Sequence, residues 1–279
     1  MELEQLLGRA HTLGEEGDWG GAAELLRDHL EEFDEEAAVH CWLGVAEREL
    51  GLGGVAYARF KRALELDPTD PHVLATAGSG IATFDDPDAE RVLRTAAIIA
   101  PDVSFARLMY GAYLAREGFG EDALRELNAA RQLDPDDPQI AYELGVAHAL
   151  SGRTEAACDA MGEAVSLDPD DGWVRTVFGL VLLEADRTEE ATGELISGAR
   201  IAFDDLDAQL AAALAAAAVE MEDQALEMLE RARILAAEGE QSLVADIEER
   251  IDAGAESADA ALREDLAPDL LRTRLQERP

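Results

Sequence analysis

The chain has 279 residues, and its 61 acidic residues against 23 basic ones leave a formal charge of -38. Hydrophobic residues at 48% exclude a disordered polyanion, which needs low hydrophobicity as well as high charge. No basic stripe exists to release counterions from nucleic acid, and two cysteines, Cys41 and Cys158, are too few for a disulfide framework.

An internal repeat organises the predicted elements. Leu-Asp-Pro recurs at Leu66, Leu133 and Leu167, and the last two lie 34 residues apart. That period divides residues 3–239 into seven units: 3–36, 37–70, 71–103, 104–137, 138–171, 172–205 and 206–239. Each predicts two antiparallel helices joined by a turn. The first unit has Ala10 on its first helix, then Ala22, Leu26 and His29 on its second. The second repeats the pattern with Gly44, Ala56, Phe60 and Ala63 and ends at Pro68. Asp70-Pro71 opens the third, an N-cap acid before a first-turn proline. Its Gly78, Ala89, Leu93 and Ala96 keep the columns, but it is one residue short around Thr83–Pro87, which predicts a local change of superhelical angle. The fourth has Gly111, Ala123, Leu127 and Ala130, with Gly118 in its turn. The fifth opens at Asp137-Pro138, carries Gly145, Ala157, Met161 and Ala164, and turns at Gly152 before Thr154. The sixth has Gly179, Ala191, Leu195 and Gly198, and the seventh Ala213, Ala225, Leu229 and Ala232. Spacings of four and then three define one helical face, and the small eighth residue lets the two helices of a unit approach closely.

Residues 240–253 predict a capping helix with Leu243, Val244, Ile247 and Ile251 on its apolar face. Residues 254–279 predict a hinge at Gly254–Ala258 and a short helical tail interrupted by Pro268. Leu262 and Leu266 form one apolar pair in that tail, and Leu271 and Leu275 another. Its acids Glu264, Asp265, Asp269 and Glu277 are balanced by Arg263, Arg272, Arg274 and Arg278.

The columns resemble the tetratricopeptide repeat family. Tyr142, Leu144-Gly145, Ala157, Met161, Ala164 and Pro169 stand where its pattern wants them, as do Leu43-Gly44, Ala56, Phe60, Ala63 and Pro68. The resemblance implies an all-α, right-handed α-solenoid of about seven helix-turn-helix repeats. Units one, six and seven depart from the pattern in lacking the terminal proline. Acid is spread along the whole chain, and Lys61 is the sole lysine. Molar salt shortens the Debye length to ~3 Å, so this composition looks like that of a haloarchaeal member of the family.

In this family the first helix of each unit lines a concave groove that holds partners. The resemblance places Cys41, Trp42, Val45, Arg48, Phe105, Leu108, Met109, Arg116, Tyr142, Val146, Trp173, Val177, Leu180 and Leu183 in that groove. The family's lysine and asparagine clamp for a C-terminal carboxylate is missing from these positions. The tail leucines Leu262, Leu266, Leu271 and Leu275 would dock at the Trp173 and Leu180 end, or on a partner.

No catalytic motif, cofactor loop or metal set emerges. Of the five histidines only His40 has a histidine or cysteine close on the same helix, its neighbour Cys41, and adjacent helical residues diverge by ~100°. Asp168-Pro169-Asp170-Asp171-Gly172 faintly resembles a calcium loop, but its twelfth position is Gly179 in place of a bidentate glutamate. The longest apolar run, Leu210–Val219, falls far short of the ~20 residues that span a bilayer. The acidic start Met1-Glu2-Leu3-Glu4 is unlike a secretory signal. The expectation is a cytoplasmic, non-enzymatic scaffold that binds a protein or peptide segment, without nucleic acid or membrane. The alternative is a permanent regulatory or accessory subunit of an enzyme complex.

Overall fold

The computed structural model describes residues 1–277; Arg278, counted above among the tail cations, lies outside the described residues. The described residues are helical and contain no strand. They group into two compact units, residues 1–114 with 125–134, and residues 115–124 with 135 onward.

The first unit contains the pairs α1 (Leu3–Glu15) with α2 (Trp19–Asp28), α3 (Ala37–Glu49) with α4 (Gly53–Glu65), and α5 (Pro71–Ala82) with α6 (Ala89–Ile99). The chain continues through α7 (Ser104–Arg116) and α8 (Gly120–Leu133). The second unit contains α9 (Pro138–Leu150) with α10 (Thr154–Leu167), α11 (Gly172–Glu184) with α12 (Thr188–Ile201), and α13 (Leu206–Ala218) with α14 (Glu222–Leu235).

The small eighth residue of each repeat meets the large apolar residue of its partner helix. A Cβ added at Gly44 would lie 2.8 Å from the Phe60 ring, one at Gly145 2.5 Å from Met161 Cγ, and one at Gly179 2.7 Å from Leu195 Cγ. Ala10 with Leu26, and Ala213 with Leu229, are buried in the equivalent slots. Acids start the first helices as the sequence predicts. Asp70 accepts from the His72 amide, Asp137 from those of Gln139 and Ile140, and Asp171 from that of Val174. The turn within every repeat passes through a left-handed residue at the fifteenth place: Gly17, Gly51, Asp85, Gly118, Gly152, Asp186 and Glu220, with φ between 53° and 82°. The short third repeat keeps this register and loses its residue after it. That turn is tied to α4, where Tyr57 Oη and Lys61 Nζ donate to Asp86 at 2.7 and 3.0 Å.

After α14 the chain forms α15 (Gln241–Asp252), which buries Val244 and Ile247 and leaves Leu243 exposed, unlike the expected face. Gly254, at φ 106°, then redirects the chain. The segment Gly254–Ala258, expected as a hinge, is helical from its second residue. Helix α16 (Ala255–Ala260) starts directly after Gly254 and buries Ala258 completely. A π-helical turn comes next at Ala261–Leu266, and α17 runs over Ala267–Gln276 with Pro268 in its first turn. α16 and the π turn pack on α13, and α17 packs on α11.

The π turn answers a defect in the apolar spacing. Ala258, Ala261 and Leu262 are buried, and so are Ala267, Leu270, Leu271 and Leu275. The step from Leu262 to Ala267 is five residues, which an α-helix would place ~140° apart. The wider i→i+5 turn returns Ala267 to the buried side. Leu266, expected beside Leu262, is displaced to the margin and is half-buried.

Candidate functional site

Within the first unit the expected groove residues separate by burial. Trp42, Val45, Arg48 and Phe105 reach solvent. The ring of His11 meets Trp42 edge-on at 5.2 Å, and His72 stacks on Phe105 at 5.5 Å. Arg48 is engaged locally by Glu49 Oε1, at 3.0 and 2.8 Å. Cys41, Leu108 and Met109 are buried and offer a partner little surface. The Cys41 thiol donates to the Val73 carbonyl at 3.8 Å, between α3 and α5, and burial pushes it up to about 12. His40 Nε2 lies 2.8 Å from the Asp34 carbonyl, so this adjacent pair diverges as helical geometry requires.

In the second unit the expected residues come together, and the chain's own tail lies against them. Val146, Val177, Leu180 and Leu183 are buried in one core with Leu262, Leu270, Leu271 and Leu275 of the tail, and Leu266 packs at its edge. Arg116 makes a two-point ion pair with Glu143, at 2.7 and 3.1 Å, with both side chains nearly buried. Arg116 Nη2 also lies 3.5 Å from the Glu277 carbonyl at the end of the tail.

The centre of this site is Trp173, near the start of α11. Its indole Nε1 donates to Tyr142 Oη at 3.2 Å, which fixes the ring plane. Burial, and then the charge of Glu143, hold the Tyr142 phenol at about 12, so it stays neutral. The guanidinium carbon of Arg274 lies over the Trp173 ring, 4.0 Å from its centroid. Arg274 is 5% exposed and lies 2.8 Å from the Asp205 carboxylate and 3.7 Å from that of Asp207. Asp205 also accepts the Ala208 amide at 3.1 Å and thereby caps α13. Burial raises the Asp207 carboxyl above its ordinary range, and the charge of Arg274 opposes that shift.

A second arginine fastens the other end of the tail. Arg263 donates to the Leu183 carbonyl at 3.3 Å and to Thr188 Oγ1 at 2.5 Å, and pairs with Asp186 and Asp259. It sits at the C-terminal end of α11, where the helix dipole favours a cation. Sequence reasoning did not single out Asp205 or Asp207. Read alone, Asp205 is an N-cap and Asp207 a first-turn acid, and nothing local marks either as the seat of an arginine.

A tetratricopeptide repeat family model matches residues 7–71 and 108–172. No curated protein matches the sequence. Among solved structures, a chain of the APC/C hetero-tetramer Cut9–Hcn1 is similar over 90% of this chain, with TM-score 0.71 and 18% identity. This chain spans about half of that one, 49% of its length. Pseudomonas aeruginosa pilF is similar over 76% of this chain and 98% of its own, with TM-score 0.58 and 20% identity. TTC0263, a thermophilic TPR protein of Thermus thermophilus, is similar over 64% of this chain and 98% of its own, with TM-score 0.58 and 24% identity. The family match marks these two stretches as similar to tetratricopeptide repeats, and the solved structures share the fold.

Proposed function

We propose that this chain is a non-catalytic scaffold that binds a helical or extended protein segment on the first helices of its repeats. Tetratricopeptide-repeat proteins generally mediate protein–protein interactions. The observation that carries the reading here is the amphipathic tail lying on α11 and α13, with buried leucines and an arginine stacked on Trp173. A surface that holds one amphipathic helix has the shape and chemistry to hold another. In the first unit, Trp42 and Phe105 are the solvent-reaching aromatics for the same role, and aromatic and arginine residues dominate such interfaces. The partners are proteins, and the setting is a cytoplasm at molar salt. No helix of the described residues is long and apolar enough to cross a membrane.

The test is affinity capture at molar salt with the wild-type chain, Trp42→Ala and Trp173→Ala. A protein retained by the wild type and lost from either variant, with helicity unchanged, supports the scaffold. Equal retention by all three removes it. The second reading, a permanent accessory subunit, draws on the hetero-tetramer in which the Cut9–Hcn1 chain sits. It requires one partner that co-elutes in fixed stoichiometry through gel filtration, where a scaffold releases its ligands on dilution.

A further inference from the structure

We infer that Trp173, Asp205 and Asp207 form a guanidinium-recognition site, held by Arg274 of the chain's own tail and entered by a partner that presents an arginine on an amphipathic helix. This rests on the scaffold reading and gives its partner a chemistry.

The site is built for a flat cation. The indole face is oriented by the bond to Tyr142, and a guanidinium carbon lies over it, 4.0 Å from the centroid. At its rim a carboxylate accepts at 2.8 Å, with a second at 3.7 Å. A planar guanidinium can lie flat on the ring and donate in its own plane at once, whereas a lysine ammonium has no flat face to lay on it. Emptied of its cation, the site would keep the carboxylates of Asp205 and Asp207 two residues apart beside a hydrophobic ring. The site therefore favours being filled, by Arg274 or by an equivalent group.

The tail is arranged for exchange in its distal half. α16 and the π turn are fastened to α13, whereas α17 lies on α11. Pro268 lacks the amide that would continue the helix through this junction. α17 has ten residues, and a helix of that length is marginal once lifted from its support. A competing helix needs leucines at the spacing of Leu271 and Leu275, with an arginine beside the second, as Arg274 stands here.

The test uses the full-length chain and the 15N–1H indole resonance of Trp173, assigned with Trp173→Phe. Arg274→Gln in the wild-type chain is expected to move that resonance while circular dichroism stays unchanged. An unmoved resonance overturns the inference. A second full-length variant, Leu271→Glu with Arg274→Ala and Leu275→Glu, lifts α17 and leaves α16 in place. A synthetic peptide of residues 261–276 is titrated into it, alongside the same peptide carrying Arg274→Gln or Arg274→Lys. The expected result is return of the resonance with the parent peptide and about tenfold weaker binding of both substituted peptides. Equal binding of all three overturns the guanidinium site and leaves the helix-binding groove standing. No binding by any peptide overturns both. Should the triple variant lose helicity, Leu271→Ala with Arg274→Ala and Leu275→Ala takes the same titration, because it removes the same three contacts of α17 without adding charge.

Discussion

Asp86 shows how much one side chain organises in the shortened third repeat. Tyr57, Lys61 and the Asp88 amide all donate to it, at 2.7, 3.0 and 2.8 Å, and the residue is 9% exposed. The hydrogen bond from Tyr57, followed by the Asp88 amide and Lys61, lowers its carboxyl from 3.8 to about 2. A carboxyl depressed by folding contributes stability above its unfolded value and loses it as pH falls through the folded one. Asp86→Asn is therefore expected to destabilise the chain by about 1–3 kcal/mol at neutral pH. The gap between wild type and variant should close as pH falls from 3.8 towards 2, measured by urea denaturation at each pH. A gap independent of pH would mean that the cluster acts through shape alone. The sole lysine of the chain is thus engaged in fastening a turn.

At the scale of the helix pair, the left-handed fifteenth residue is the element that every repeat shares. Four repeats use glycine there, two use aspartate, and the seventh uses glutamate at φ 60°. A residue with a Cβ pays roughly 1–2 kcal/mol in that region, and aspartate is tolerated better than glutamate. Glu220→Gly is expected to raise stability by about 1 kcal/mol, read as a higher melting temperature. A lower one would show that Glu220 makes a compensating contact. The tail gives a second test at this scale. One alanine inserted after Glu264 lengthens the step between the buried faces from five to six residues, and one extra residue rotates the downstream helix by ~100°. The π turn cannot absorb that change. The Trp173 indole resonance should shift to that of an uncovered ring, and an unchanged resonance would show that the docked helix has no fixed register.

The charge of -38 acts on the whole molecule. Arginines are engaged in pairs such as Arg107–Glu126 at 2.7 Å and Arg175–Glu194 at 2.6 Å, but the 23 basic residues are outnumbered by 61 acids. Their mutual repulsion is screened over ~3 Å at 1 M salt and over ~30 Å at 0.01 M. Dialysis from molar to dilute salt is expected to reduce helical circular dichroism and lower the melting temperature. An unchanged melting temperature in dilute buffer would show that helix packing outweighs the repulsion and would remove the argument for a molar-salt setting.

Much of this molecule was legible in the residues because its order is local. Small against large, Gly145 facing Met161 or Gly44 facing Phe60, is a rule between two helices joined by a short turn, so period and column reveal it. The same is true of Asp70 and Asp137 before their prolines. Only the tertiary structure decided which first-helix residues stay accessible. Trp42 and Cys41 are neighbours in sequence, yet one reaches solvent and the other is sealed against Val73, because a third helix chooses between them. It also decided that the tail is helical through Ala261–Leu266, since a π turn has no sequence signature apart from a buried face that slips by one residue. The pairing of Arg274 with Asp205 spans 69 residues, and its partner looks locally like any helix cap. Contacts of that range leave no period in the chain, because they depend on where a fold brings its end back upon itself.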